Sequence, residues 1–318
     1  MSTLVRENIA SIQGYSWGEQ PKTSTNLIKL NTNENPYPPS PNVIRALQTL
    51  DTEGLRTYPN PLADELREEV AKLNRIADEN VVITNGGDEG LRLSLTTFVD
   101  PGETVCFADP SYSLYPVLAA IQGANIKPVA YSDGWEIPET FPEKIKSFDA
   151  KMSYLVNPHA PSGNFYSLGA LDKIAQSAPG VLLIDEAYAD FIDPSLNYQS
   201  ADLLKKYDNV LILRTFSKGY SLAGIRLGYL MGNEALISPI ISKTRDSYNV
   251  GSIQQRLGTA AITDQEYSQK IWKKIRENRT HLQDRLTALG LPSNPSQSNF
   301  VLVEIDNQRV DAHSLYLS

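Results

Sequence analysis

The feature that most constrains the fold is a recurrence. Short, mostly apolar runs occupy 81–84, 104–108, 125–130, 151–156, 181–184, 210–213 and 227–231. Segments of helical period separate most of them, among them 41–49, 62–73, 91–98, 168–178 and 201–207. A strand half in water alternates apolar and polar residues, whereas a strand covered on both faces does not. Apolar strands alternating with helices therefore predict an α/β fold: a mostly parallel sheet covered by helices. Further runs at 27–30 and 299–305 read as strands, and 234–245 and 253–289 as long helices. In such sheets ligands bind beyond the carboxyl ends of the strands. The chain concentrates its polar chemistry at those ends: Asn85-Gly-Gly-Asp-Glu-Gly90 after the first run, Asp109-Pro-Ser-Tyr112, Asn157-Pro-His159, Asp185-Glu-Ala-Tyr188, and Thr215-Phe-Ser-Lys218 after later ones.

Composition narrows the function. A net charge of −8 over 318 residues argues against nucleic acid as a partner, which needs a basic footprint. No apolar run approaches the ~20 residues of a membrane span, and no basic-then-apolar leader opens the chain, so a cytoplasmic protein is expected. The single cysteine, Cys106, excludes an internal disulfide and reads as a small buried residue. His159, His281 and His313 lack metal-ligand spacing, so no metal is expected.

The strand-end clusters complement one another. Thr215, Ser217 and Arg226 lie in one loop and can hold a phosphate, with arginine offering a planar fork of donors. Lys218, in the same loop, can attack a carbonyl. Strand, glycine turn and helix at 81–98 would aim the backbone N–H groups of Gly87 and Asp88 at an anion. Asp185, at a buried strand end, suits a protonated ring nitrogen, and equally a helix N-cap or a structural ion pair. Asn157 and Tyr188 could donate to a ring oxygen, and Tyr112 could stack on a ring face. The polar head Asn31 to Asn35 could face a ligand.

Three of these stretches, Asn157 to Asn164, Asp185 to Phe191 and Arg214 to Arg226, resemble the motif series of the class I/II aminotransferases of fold type I. Asn31 to Tyr37, Tyr58-Pro59 and Gly86 to Gly90 are similar, in order and spacing, to further signatures of the histidinol-phosphate aminotransferase branch. The resemblance runs from about residue 27 onward. It implies pyridoxal 5′-phosphate as cofactor. Lys218 would bind its aldehyde covalently and act as the proton-moving base. Asp185 would pair with the ring nitrogen, Asn157 and Tyr188 would face the ring oxygen, and Tyr112 would stack. Gly87, Asp88, Thr215, Ser217 and Arg226 would hold the phosphate, and Asn35 and Tyr37 would face the substrate. It further implies a homodimer in which Tyr58 reaches the neighbouring phosphate.

The implied reaction is amino transfer from L-histidinol phosphate to 2-oxoglutarate in histidine biosynthesis, in two half-reactions with ping-pong kinetics. Threonine-phosphate decarboxylation, broad aromatic amino transfer and an inactive truncated homologue are the alternatives. The expected organisation is an N-terminal arm and part of a small domain over 1–45, a cofactor-binding large domain over 46–240, and an interdomain helix with an incomplete small domain over 241–318. Measured against the family, the chain stops some tens of residues early, before an arginine that grips a substrate carboxylate or phosphate.

Overall fold

Seven strands form one sheet in the order β1-β7-β6-β5-β4-β2-β3. They are β1 (Val81–Thr84), β2 (Thr104–Asp109), β3 (Asn125–Ala130), β4 (Met152–Val156), β5 (Val181–Asp185), β6 (Val210–Thr215) and β7 (Gly228–Gly232). The structure is a computed structural model that describes residues 4–20, 28–305 and 311–317. Every pairing from β6 through β5, β4 and β2 to β3 is parallel; β7 runs antiparallel to both β1 and β6. The sheet is thus mostly parallel, as the apolar runs require.

Each strand divides its residues between two cores. Leu155, Ile184, Ile212 and Met231 pack on one face, and Val156, Leu183, Leu213 and Leu230 on the other. These are neighbours in sequence that point to opposite sides of a pleat. Cys106 is fully buried on the first face, and burial pushes its thiol up to about 12, so it behaves as an apolar residue.

The described helices are α1 (Glu7–Ala10), α2 (Pro41–Gln48), α3 (Asp64–Asn74), α4 (Gly86–Phe98), α5 (Leu114–Gln122), α6 (Phe141–Ser147), α7 (Leu168–Ser177), α8 (Glu234–Pro239), α9 (Ser252–Ile262), α10 (Gln265–Ala288) and α11 (Ala312–Leu317). Local chemistry fixes several starts. Ser40 accepts from the Val43 amide with Pro41 at the first helical position, and Ser167 accepts from Ala170. No described helix is long and apolar enough to cross a membrane.

Six expectations are corrected. The helix expected over 253–289 is two helices, because Asp264 caps a new start by accepting from the Tyr267 amide. The segment 201–207 is a 3₁₀ helix, Ser200–Lys205. The helix over 234–245 is short, with Pro239 at its end and one π-helical turn after it. Leu27 lies outside the described residues, while 28–30 form no strand and leave Ile28 and Leu30 exposed. Between 299 and 305 only one bridge forms, Val303 to Ser293, because no described strand runs alongside. The glycine turn expected before helix 91–98 is instead the first turn of α4.

Register sets the site. Val156 pairs with Asp185, and Asp185 with Leu213, so the carboxyl ends of β4, β5 and β6 form one edge. Gly228 pairs with both Thr84 and Thr215, which brings the start of α4 beside the loop after β6. Only glycine fits there. A Cβ on Gly228 would meet the Arg214 carbonyl oxygen at 2.9 Å and the Gly87 nitrogen at 3.1 Å.

Candidate active site

Asp185 closes β5 and is almost completely buried. Its Oδ2 accepts from the Tyr115 hydroxyl at 2.7 Å and its Oδ1 from the Ala187 amide at 3.0 Å. Burial lifts the carboxyl to about 6, against the pull of those two donors. No cation lies within ion-pair reach of it among the described residues. Charge that is buried without a counter-ion is costly. A positively charged group placed against Asp185 would offset that cost.

Lys218 sits in the loop after β6. Its Nζ donates to the Thr32 carbonyl at 2.7 Å and lies 5.8 Å from the Tyr188 ring centroid. Burial lowers this amine to about 8, with Glu34 opposing and Arg226 assisting. A substantial neutral fraction near physiological pH is what a nucleophilic or basic lysine needs. The segment 32–35 straps across it. Asn33 donates to the Tyr188 hydroxyl at 3.2 Å, Asn35 donates to the Lys218 and Gly219 carbonyls, and Asn299 holds the Asn33 carbonyl at 3.0 Å. The Trp272 indole, from α10, donates to the same Gly219 carbonyl at 2.8 Å. Among the described residues the Tyr188 hydroxyl accepts from Asn33 and donates to no group.

The anion-holding groups converge at the start of α4. The N–H groups of Gly86, Gly87 and Asp88 open the helix, where no preceding turn offers them carbonyls. The Arg226 guanidinium packs over Gly86, where an added Cβ would meet Nη2 at 2.8 Å. Arg226 pairs with Asp88 at 2.9 Å and donates to Ser217 Oγ at 3.4 Å, and Thr215 Oγ1 donates to Ser217 Oγ at 3.0 Å. Tyr112 hydrogen-bonds Asp88 at 3.1 Å, so the stacking candidate and the anion site are joined.

Three expected residues are engaged elsewhere. Asn157 donates both amide hydrogens inward, to the Tyr166 carbonyl at 3.1 Å and the Tyr198 hydroxyl at 3.0 Å, and accepts from the Tyr166 amide. It has no donor left for a ring oxygen. Asn35 spends its amide on the backbone around Lys218. Tyr37 packs against the cluster of Phe191, Ile271 and Ile275, and its hydroxyl accepts from Asn278 of α10 at 3.1 Å. Tyr58 lies apart from the others: it is 80% exposed and stacked on Tyr248 at 4.5 Å.

Other residues enter that sequence reasoning did not name. Tyr115 reaches Asp185, and it stands three positions after Tyr112, a spacing that could have drawn attention to it. Tyr15, in the arm, sets its ring against Tyr112 at 5.9 Å, edge to face. Glu186 is buried and pairs with Arg214 at 2.7 Å while accepting from Tyr198. Nothing local in the sequence marks that ion pair.

Comparison with known proteins places this geometry. The sequence profile described as "Aminotransferase class I and II" matches residues 25–316. The chain belongs to the class I and II aminotransferase family. Among curated members of the family, histidinol-phosphate aminotransferase 1 of Trichormus variabilis is 39% identical over 304 residues, 96% of this chain and 85% of that protein. The histidinol-phosphate aminotransferase of Rippkaea orientalis is 41% identical over 314 residues, 98% and 86% of the two chains. Among solved members, the histidinol-phosphate aminotransferase of Sinorhizobium meliloti in complex with pyridoxal-5′-phosphate superposes with a TM-score of 0.81. It is 27% identical, and the match covers 87% of this chain and 75% of that one.

Proposed function

We propose that the protein binds pyridoxal 5′-phosphate and transfers the amino group of L-histidinol phosphate to 2-oxoglutarate. The observation that carries the cofactor reading is the buried carboxyl of Asp185, held by the Tyr115 hydroxyl and the Ala187 amide with no cation in ion-pair reach among the described residues, on the same strand-end edge as the loop that bears the half-buried amine of Lys218. The substrate reading is supported by relatives of that name at 39% and 41% identity over nearly the whole chain.

The residues present fit the cofactor. Asp185 would take the ring nitrogen's proton as its hydrogen-bond partner and so relieve its own desolvation. Tyr188 has a proton free for the ring oxygen, and Tyr112 offers its ring face. The N–H groups of Gly87 and Asp88, with Thr215, Ser217 and Arg226, would hold the phosphate. Asn157, its amide already spent, shapes the loop after β4 instead. Asn35 and Tyr37 act as supports for the Lys218 loop and the strap. When bound, the cofactor supplies an electron sink for the carbanion formed at the substrate Cα.

Lys218 Nζ would hold the cofactor through its aldehyde carbon, the carbon at which the bound group would receive the donor's amine. The Lys218 amine would be the base that takes the proton from the amine-bearing carbon of the donor and returns one to the carbon that receives the amino group. Its lowered basicity lets it do both near neutral pH. Buried Asp185 would supply the negative charge that holds the ring nitrogen's proton. The two half-reactions reuse one site, so initial rates should follow ping-pong kinetics. Two copies of the chain would assemble, with Tyr58 of each reaching the other's phosphate.

The test combines spectrum and assay. Protein given pyridoxal phosphate should absorb near ~420 nm, and borohydride should fix the cofactor to the peptide containing Lys218. The Lys218→Ala variant should show neither. Rates with histidinol phosphate are then compared with aromatic amino acids and with threonine phosphate. Preference for an aromatic amino acid, or release of carbon dioxide from threonine phosphate, would replace the substrate reading.

A further inference from the structure

The contact that ties the ring-stacking segment to the buried carboxylate is the Tyr115 hydroxyl on Asp185. Tyr115 is itself 1% exposed. Its ring stacks flat on Tyr154, with centroids 4.7 Å apart and planes 6° from parallel. It also braces Tyr112 edge to face, at 5.6 Å and 90°. A buried hydroxyl needs a partner, and so does a buried carboxylate. Here each satisfies the other at 2.7 Å.

We propose that Tyr115 is a positioning residue of the cofactor site: one side chain fixes the direction of the Asp185 carboxylate and the plane of the Tyr112 ring. The proposal rests on the reading of Asp185 as partner of the ring nitrogen. Its force comes from chain geometry. Tyr112 and Tyr115 belong to the same turn into α5, so the face on which the ring lies and the acceptor for its nitrogen are set by one rigid segment. The stack on Tyr154 locks the Tyr115 ring, leaving the hydroxyl with one direction. With Oδ2 held by Tyr115 and Oδ1 by the Ala187 amide, the carboxylate cannot rotate without losing a hydrogen bond.

The hydroxyl also supports the charge on Asp185. The groups that face this carboxyl are Asp88 from α4, Glu186 next in the chain, Tyr154 from β4, and Tyr188 from the loop after β5. Two of them are carboxyl groups and disfavour ionisation. Tyr115 and the Ala187 amide oppose them.

Tyr115→Phe removes the hydroxyl and keeps both ring contacts. Cofactor-free protein titrated with pyridoxal phosphate should bind about tenfold more weakly, the effect of losing one hydrogen bond to a charged group. In the loaded enzyme kcat should fall while KM for the amino donor stays within about twofold. The acidic limb of kcat/KM should move upward by roughly half a pH unit or more, as Asp185 loses a donor. Tyr154→Phe is the control: it removes a hydroxyl from the same stack that makes no bond to Asp185, and it should leave all three quantities unchanged. A 3,5-difluorotyrosine at 115, a stronger donor of the same shape, should move affinity and limb the opposite way. Should Tyr115→Phe fail to fold, this replacement alone decides the matter. Binding and pH profile unaltered in Tyr115→Phe, or altered equally in Tyr154→Phe, would overturn the proposal. Wild-type protein that takes up no pyridoxal phosphate overturns the reading of the site itself, a different result.

Discussion

At Lys218 the surroundings, more than the residue type, set the chemistry. A lysine in water holds its proton until ~10.5, so little free amine exists at neutral pH. Burial brings this one to about 8. The rate of pyridoxal phosphate uptake by cofactor-free protein should therefore rise through a midpoint near 8, read by stopped-flow absorbance; a midpoint close to that of free lysine would contradict the buried environment. Asp185 shows the opposite bargain. Its folded value of about 6 lies above the ordinary 3.8, so the folded chain favours the neutral acid. The stability this gives is complete below the ordinary value and is lost as pH rises to about 6. Above that, the cofactor-free chain carries an ionised buried carboxylate at a cost on the order of 3 kcal/mol. Asp185→Asn should raise the melting temperature of cofactor-free protein at pH 7.5 by several degrees, while lowering amino transfer about a hundredfold or more. Residue identity made both groups legible in the sequence, because a lysine among hydroxyls and an aspartate after four apolar residues are conspicuous. The hydrogen-bond allotment was not legible. Asn157 looks available in the sequence, and only the fold shows its amide committed to Tyr166 and Tyr198.

The strand ends are where elements do their work. Glu186, one residue past β5, pairs with Arg214 of β6 and accepts from Tyr198, which in turn holds Asn157 after β4. One polar chain thus links the ends of three adjacent strands at the edge that carries the candidate site. Its cost is that each member depends on the others. Glu186→Gln leaves the largely buried Arg214 guanidinium without its hydrogen-bonded counter-charge, with only the more distant Asp190 carboxyl facing it, and should destabilise the chain by about 3 kcal/mol; adding Arg214→Met should restore part of that loss. Thermal unfolding of the three proteins checks both statements. The strands themselves were readable because continuous burial leaves an apolar run in the sequence. The runs at 27–30 and 299–305 carry the same signal without the outcome. An apolar run becomes a strand only where a neighbouring strand satisfies its backbone, and among the described residues neither has one. The split between α9 and α10 was hidden for a related reason: Asp264 breaks the helix through its side-chain cap, not through its hydrophobic period.

Across the whole molecule, residues far apart in sequence meet at one edge. Thr32 and Lys218 are separated by 186 positions and share a hydrogen bond. Sequence pattern, which is local, could not show that the strap 32–35 closes over that lysine; motif order only suggested that both belong to one site. Tyr58 raises the same question one level higher. It is stacked on Tyr248 and exposed, with Ile44, Leu47 and Leu55 exposed on the chain just before it. If Tyr58 serves a neighbouring copy, two defective variants should rescue each other. Equal amounts of Lys218→Ala and Tyr58→Ala protein, unfolded and refolded together, should recover about a quarter of wild-type activity, since half the dimers are mixed and each holds one intact site. Recovery no greater than the sum of the separate variants would show that each site is built from one chain.

The hydrogen bond from Trp272 to the Gly219 carbonyl gives the molecule a built-in optical gauge. Only three tryptophans are present, Trp17, Trp135 and Trp272. One of them is tethered to the peptide beside Lys218. Emission from its indole is sensitive to the field and contacts around that peptide, and a chromophore held on Lys218 would lie within energy-transfer distance. Loading and turnover could then be followed by ultraviolet fluorescence without a label, with Trp272→Phe as the blank.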